Sequence, residues 1–123
     1  MSDQKLNPNT AYGGFIVSKR VSEGVPVGWA FREESSLSEL NGWTIYSVND
    51  DEEYISNPSN FSILSASSIM TLCPVLLEIF DAPYGTDLGW VYKDMVHIGF
   101  WDMTRDCEIT IPEIRAHTGR DGK

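Results

Sequence analysis

The sequence predicts an α+β domain. An antiparallel sheet, formed by an N-terminal three-stranded meander and a C-terminal hairpin, carries two or three short helices packed on one side. Two observations support this class. Apolar and polar residues alternate over short segments towards both ends of the chain, which is typical of half-buried strands. Helix-start signals lie between these two groups of strands, and such grouping favours α+β over an alternating α/β fold.

The meander is predicted at residues 12–19, 25–32 and 42–48. The first segment is rich in Phe, Ile and Val, and the short turn that follows it is expected to pair it antiparallel with the second. In the second segment every other residue is large and apolar. We expect that set to form one buried face; it comprises Val25, Val27, Trp29 and Phe31.

Short helices are predicted in the middle of the chain. The first spans residues 49–55, where Asn49 is a suitable cap and Glu52 stands in the capping-box position. Pro74 suits the first position of a later helix. The remaining elements of this region are a strand at residues 61–64, a helical turn at residues 65–72 and a helix at residues 74–80.

The C-terminal third is predicted to contain a hairpin and an edge strand. Large apolar or aromatic residues recur at every second position, as Leu88, Trp90 and Tyr92 and again in the segment 96–100. The hairpin is expected to turn around Asp94. An edge strand follows at residues 108–111 and is stopped by the proline that comes next.

The length of 123 residues fits one domain. We expect a flexible leader at residues 1–10, the α+β domain at residues 11–116 and a disordered tail at residues 117–123. No apolar run approaches the ~20 residues of a membrane span. The N-terminus also lacks the features of a signal peptide, and two cysteines do not indicate a disulfide framework. We therefore expect a cytoplasmic protein with no membrane association.

The charge of the chain is concentrated in its middle. Ten of the 18 acidic residues lie between residues 33 and 92, a stretch with no Lys, Arg or His, and the net charge is −9. Such a field repels nucleic acid and steers a basic partner. A simply solubilising surface is the alternative interpretation.

The motifs of the common enzyme and metal sites are missing from the sequence. The pair Gly13-Gly14 is not followed by the Gly-Lys-Ser/Thr of a phosphate loop, and no nucleophile is singled out for His97 or His117. Zinc sites use closely spaced Cys and His ligands, whereas Cys73 and Cys107 each stand alone. We predict no catalytic residue, no metal and no cofactor.

The candidate binding residues are an acidic run and three aromatic side chains. The run is the densest functional-looking cluster of the chain, and a sheet rich in Trp and Tyr beside it is a plausible face for a partner. Two alternatives stay open, because the acids also suit a solvated helix cap and the aromatics also suit a core. The candidates are Asp50, Asp51, Glu52, Glu53, Tyr54, Trp43 and Trp29.

Several segments resemble a known family in their order and spacing. They are Gly13-Gly14-Phe-Ile-Val-Ser-Lys19, Pro26-Val-Gly-Trp-Ala-Phe-Arg-Glu33, Gly42-Trp43, Asp51-Glu-Glu-Tyr54, Asn57-Pro58 and Asp81-Ala-Pro-Tyr-Gly85. Over about residues 11–87 this pattern resembles the thirty-third immunity-protein domain family of bacterial polymorphic toxin systems, formerly a domain of unknown function. Where the family prefers Gly-Asp-Glu, this chain has Val48-Asn49-Asp50, and the motifs that carry the resemblance do not extend into residues 88–123.

The resemblance implies a small cytoplasmic protein that binds a cognate toxin domain and neutralises it without catalysis. The acidic middle of the chain suits a basic, nuclease-like toxin, and we expect a monomer or a weak homodimer. Two other functions remain open. A small regulatory domain would bind a ligand or peptide in a pocket lined by Trp29, Trp43 and Tyr54, and an enzyme would join His97 or His117 to a carboxylate in a cleft.

Overall fold

A computed structural model describes residues 13–116; the leader and tail predicted at the two ends lie outside the described residues. The fold is α+β, as predicted, with one sheet of seven strands. The strands are β1 (Gly14–Ser18), β2 (Val27–Arg32), β3 (Leu40–Ser47), β4 (Phe61–Leu64), β5 (Asp87–Lys93), β6 (Val96–Asp102) and β7 (Cys107–Ile109). The helices are α1 (Lys19–Ser22), α2 (Glu52–Ile55), α3 (Ala66–Leu72), α4 (Val75–Glu78) and α5 (Ile111–Ala116), and Pro58–Asn60 forms a 3₁₀ turn.

The strand order is β4-β1-β3-β2-β5-β6-β7. All neighbouring strands are antiparallel except β1 and β3, which run parallel, so the sheet is mixed but mostly antiparallel. The predicted C-terminal hairpin is confirmed as β5 and β6. Asp94 and Met95 at its turn have φ of 52° and 70°, the left-handed conformation that tight hairpin turns require. The edge strand is also present, as β7.

The predicted meander is wrong in one respect, because β3 lies between β1 and β2. The connection from β1 to β2 is not a tight turn. Residues Lys19–Ser22 form a helical turn, capped by the Ser18 Oγ that accepts a hydrogen bond from the backbone N of Arg20 at 3.3 Å. Val21 from this turn is buried in the core, which draws the chain away from the edge of β1 and leaves that edge to β3.

One face of the sheet carries the core. Alternate residues of β3 are buried along its whole length, including Trp43 and Ile45. Four helices cover this face with buried side chains, as expected for helices packed on one side; they are Val21 of α1, Ile69 of α3, Leu76 of α4 and Ile114 of α5. The opposite side of the sheet, called here the open face, is approached by α2, which contributes no buried residue.

A β-bulge overturns the predicted facing of β2. The register to β3 shifts between Val27 and Trp29, so Val27 and Ala30 enter the core whereas Trp29 turns to the open face. A one-residue shift reverses the facing of every side chain beyond it. Gly28 permits the close approach, because a Cβ there would lie 2.8 Å from the Cα of Val48.

The helix predicted at residues 49–55 is present but begins later. Its cap is Asp51, whose Oδ1 accepts a hydrogen bond from the backbone N of Tyr54 at 2.9 Å, so Asn49 is not the cap. The helix predicted at residues 74–80 is shorter than expected, since Val75–Glu78 is its helical part. The strand at Phe61–Leu64 and the helix at Ala66–Leu72 occur where they were predicted.

Candidate functional site

Five aromatic side chains meet on the open face, and this group is called the aromatic face. It consists of Trp29, Phe31, Tyr46, Tyr54 and Phe61. Tyr46 lies at its centre, with ring centroids 6.0 Å from Trp29, 5.4 Å from Phe31 and 5.6 Å from Phe61. Tyr54 extends the group from α2, with its ring 6.1 Å from that of Phe61. Tilted and edge-on ring pairs of this kind each stabilise by about 0.5–1.5 kcal/mol.

The strand register produces this cluster. Trp29 of β2 stands directly opposite Tyr46 of β3, so both side chains project from the same face. Phe61 of β4 stands opposite Ser18 of β1. The Ser18 hydroxyl, buried beneath α2, donates to the Tyr54 hydroxyl at 3.4 Å, which ties α2 to this end of the sheet. The aromatic face therefore rests on rigid strands.

Carboxylates surround the centre of the aromatic face. Burial raises the pKa of Tyr46, and the nearby charges of Glu33, Asp50 and Asp87 raise it further. One of these carboxylates also contacts the exposed indole, since Trp29 Nε1 donates to Asp87 Oδ1 at 3.0 Å. With 40% of its surface exposed, Trp29 presents a large apolar ring to solvent beside a negative charge.

The acidic run 50–53 divides into two residues with a structural role and two that lie in the first turn of α2. Asp50 has a fully buried side chain that accepts hydrogen bonds from the backbone N of Ser47 at 2.8 Å and from its Oγ at 2.6 Å. Asp51 is the cap of α2. Glu52 and Glu53 are exposed in the first turn of that helix. Only the last two carboxylates are free of a role in local folding.

Arg20 holds the acidic run against the sheet. Its Nη1 donates to the carbonyl of Asn49 at 2.8 Å and lies 3.3 Å from Asp50 Oδ1. The same guanidinium lies over the Tyr54 ring, 3.9 Å from its centroid. A guanidinium this close to a tyrosine ring contributes about 0.5–2 kcal/mol of stabilisation. Arg20 thus fixes Tyr54 at the end of the aromatic face.

Trp43 is the candidate that the structure places elsewhere. Its side chain is fully buried on the core face, and its Nε1 donates to the carbonyl of Phe80 at 2.9 Å. Trp29 and Tyr54 lie on the opposite side of the sheet. The aromatic pocket formed by these three residues, the condition for a small-ligand function, is therefore not present.

Phe61 and Asp87 belong to the site but were missed in the sequence. The sequence does contain a signal for Asp87. The alternation of Leu88 and Trp90 predicts that these two residues share one face of a strand, so Asp87, directly before Leu88, is expected on the other face. Phe61 lies in the predicted strand 61–64, but its partner strand is not its neighbour in sequence. Only the pairing of β4 with β1 brings it to Tyr46.

His97 lies among aromatic rings, with centroids 4.7 Å from Trp90, 5.5 Å from Tyr92 and 4.8 Å from Phe100. Burial lowers the pKa of His97, although a hydrogen bond with the backbone of Gly99 acts in the opposite direction. Its Nε2 has no hydrogen-bond partner within residues 13–116. Glu108 lines the same cavity of about 560 Å³ but does not orient the imidazole as a catalytic carboxylate would.

The two cysteines do not form a site in the described chain. Cys73 is buried and Cys107 is exposed, and His117 lies outside the described residues. Across residues 13–116, no three His, Cys, Asp or Glu side chains gather as metal ligands. In the same part of the chain, no helix is long and apolar enough to cross a membrane.

Comparison with known proteins gives one match. The model of the family described as Immunity protein Imm33 domain matches residues 15–96, about two thirds of the chain. No curated protein and no solved structure matches. The matched residues begin in β1 and end at the start of β6, so they include every member of the aromatic face.

Proposed function

Because this chain belongs to the Imm33 immunity-protein domain family, we propose that it is a non-enzymatic immunity protein that binds a cognate bacterial toxin domain and neutralises it. The family match confirms the resemblance drawn from the sequence motifs. The observation that supports a binding function most directly is the aromatic face. It lies on the side of the sheet away from the helical core.

The aromatic face has the composition of an interface centre. Trp and Tyr dominate the energetically important positions of protein interfaces, because their large rigid rings lose little entropy on binding. The Trp29 ring is 40% exposed on this face. The four other rings of the aromatic face are half-buried around it. An exposed tryptophan on a cluster of half-buried rings is the composition of an interface anchor with its surrounding contacts. We propose that Trp29, Phe31 and Tyr46 lie at the centre of the toxin contact.

The charges around this face favour a basic toxin, nuclease-like in its surface chemistry. Residues 33–92 contain ten acids and no base. Glu52 and Glu53 are exposed on α2, next to Tyr54. Opposite charges accelerate encounter, whereas buried rings slow dissociation. Of the candidates from the sequence, Trp29, Tyr54, Glu52 and Glu53 remain the proposed contacts, in a cytoplasmic protein of a polymorphic toxin system.

A rescue experiment tests the function. The toxin-like open reading frame adjacent to this gene is expressed in cells with and without this protein. We expect growth only when both are present, and co-purification of the two proteins. Cell death at equal expression of both proteins, together with the absence of a complex, would overturn the immunity function.

Association kinetics test the charge contribution. We expect Glu53→Gln to slow association with the toxin and to flatten its dependence on salt, because it removes an exposed charge beside the aromatic face. The matched control is Glu78→Gln, which removes an exposed charge from α4 on the core side of the sheet. Equal effects of the two variants would indicate net charge alone and contradict steering by this face.

A further inference from the structure

Two tryptophans flank a glycine on the open face next to the aromatic face, and the position between their indoles is called here the slot. Gly89 of β5 stands directly opposite Trp29 on one side and Trp101 on the other. Paired residues share a face, so both indoles project beside a residue with no side chain. Two strand spacings place the Trp29 and Trp101 Cα atoms about 10 Å apart.

Each indole of the slot donates to an aspartate. Trp29 Nε1 donates to Asp87 Oδ1 at 3.0 Å, and Trp101 Nε1 donates to Asp106 Oδ1 at 3.0 Å. An indole N–H carries no formal charge, so these bonds orient the carboxylates without neutralising them. Neither aspartate forms a salt bridge within the described chain. Each carboxylate keeps a second oxygen that can accept a further donor.

The position of Asp106 is fixed by the turn between β6 and β7. Asp102 Oδ1 accepts from the backbone N of Thr104 at 2.9 Å and of Arg105 at 3.1 Å, and its Oδ2 accepts from Arg105 Nε at 2.9 Å. Burial alone would raise the pKa of Asp102, but these hydrogen bonds outweigh it and hold the pKa below its ordinary value. Asp102 therefore stays charged and preserves the turn that presents Asp106.

Met103 covers Gly89 between the two indoles. Its sulfur lies 3.3 Å from the position that a Cβ of Gly89 would occupy, and Met103 is 42% exposed. Methionine has three rotatable bonds and a polarisable sulfur, so it moves aside for an inserted group at low energetic cost. A partner side chain that enters the slot therefore displaces the Met103 side chain and leaves it as an apolar contact.

The chemistry of the slot selects a flat cation. A planar group stacks on a ring at about 3.5–4 Å, so two Cα atoms about 10 Å apart leave room for one planar side chain between the indoles once Met103 moves aside. A guanidinium is planar, stacks on indoles and donates in its plane to carboxylates. A lysine ammonium is not planar and does not stack on an indole in this way. A neutral aromatic group has no positively charged donors for Asp87 and Asp106.

We propose that the slot between Trp29 and Trp101 receives an arginine side chain of the toxin, with Asp87 and Asp106 as its charge partners. This inference rests on the proposed immunity function and adds the identity of the partner's anchoring residue. It extends the interface beyond the family-matched segment, because Trp101 and Asp106 lie after residue 96.

A titration with the blocked peptide Gly-Arg-Gly tests the slot without a toxin. The four indole N–H signals in a nitrogen–proton NMR spectrum are assigned with the single variants Trp29→Phe and Trp101→Phe. We expect saturable shifts of these two signals alone. Gly-Lys-Gly should bind about 2- to 5-fold more weakly, because an ammonium does not stack flat on the indoles or donate in one plane to the carboxylates. The uncharged Gly-citrulline-Gly should not saturate. Equal binding of the citrulline peptide, or shifts at Trp43 and Trp90, would overturn the proposal.

Filling the slot tests it with the toxin. Gly89→Val places a side chain between the indoles while both tryptophans and both aspartates remain. Gly99→Val is the matched control, since a Cβ at Gly99 meets nothing within 4 Å. We expect Gly89→Val to weaken toxin binding about tenfold or more and to abolish the arginine-peptide shifts, and Gly99→Val to leave both unchanged.

The outcomes separate this inference from the proposed function. Full rescue and unaltered binding by folded Gly89→Val, with rescue by the unmodified protein, would contradict the slot and leave the immunity function standing. Failure of the unmodified protein to rescue would contradict the immunity function, whereas the peptide titration would still support or overturn arginine recognition. The chemical-shift dispersion of each variant establishes that it is folded.

Discussion

Trp29 and Trp43 lie on opposite faces of the same sheet, on neighbouring strands. Trp43 is 0% exposed and donates to the carbonyl of Phe80, whereas Trp29 is 40% exposed and donates to Asp87. The register places them apart, because Trp43 stands opposite Arg32, and Trp29 lies three residues before Arg32 and so on the other face. Two residues with the same chemistry therefore have different roles.

We expect Trp43→Phe to lower the stability of the fold and Trp29→Phe to weaken toxin binding. Trp43→Phe leaves a cavity and removes the indole hydrogen bond to the Phe80 carbonyl, which still accepts from Arg32 Nη1 at 3.0 Å. The expected loss is about 1–3 kcal/mol of unfolding free energy. Trp29→Phe should change stability by less than about 1 kcal/mol but weaken toxin binding. Urea unfolding and a binding titration measure the two effects. A stable, binding-deficient Trp43→Phe would contradict this division.

The acidic run 50–53 should likewise contain a residue that stabilises the fold and a residue that does not. Asp50→Asn weakens the buried hydrogen bonds to Ser47 and the contact with Arg20, with an expected loss of about 1–3 kcal/mol. Glu53→Gln removes an exposed charge and should stay within about 0.5 kcal/mol of the unmodified protein. Equal midpoints of denaturant unfolding for the two variants would show that Asp50 has no structural role.

Gly42 is expected to tolerate no side chain. Its φ is +93°, and a Cβ there would lie 2.2 Å from the carbonyl oxygen of Glu33, a distance that the backbone must shift to relieve. The control is Gly85, which has a similar φ of +100° but nothing within 4 Å. Gly85→Ala should cost about 1–2 kcal/mol from the left-handed conformation, and Gly42→Ala should cost clearly more. Thermal unfolding compares them, and equal losses would contradict the close approach.

The two cysteines should react at very different rates. Burial raises the pKa of Cys73 to about 12, so its reactive thiolate is scarce at neutral pH, whereas Cys107 is exposed. A chromogenic disulfide reagent should label one thiol rapidly in the folded protein and two after denaturation. Cys107→Ser should abolish the rapid phase. Persistence of that phase in Cys107→Ser would contradict the burial of Cys73.

The stability of the fold should fall as the pH is lowered through about 6.5, the ordinary pKa of His97. Burial lowers the folded-state pKa of His97, so the unfolded chain binds its proton first and gains stability relative to the fold. The titration of this one group changes the free energy of unfolding by at most about 1.4 kcal/mol per pH unit. His97→Phe should remove it. Urea unfolding between pH 7 and 5 measures the slope, and an identical slope in His97→Phe would contradict the assignment.

The local elements follow from the sequence. Alternation and turn residues predict the hairpin of β5 and β6, and the apolar spacing after Ser65 predicts α3, because these signals depend on neighbours within a few residues. The ordered motifs also identify the family, which the match over residues 15–96 confirms. Part of the candidate site is predictable on the same basis. The sequence names Trp29 and Tyr54 as candidates, whereas nothing near Phe61 in the sequence indicates that it belongs to the site.

Only the tertiary structure decides which strands are neighbours and which aromatic rings meet. The insertion of β3 between β1 and β2 depends on the burial of Val21, and the exposure of Trp29 depends on a bulge at Gly28 that accommodates Val48. Both are contacts between residues far apart in sequence. The alternation of residues in the sequence predicts that a strand has two different faces. The energy of packing across the whole sheet determines which face becomes the core.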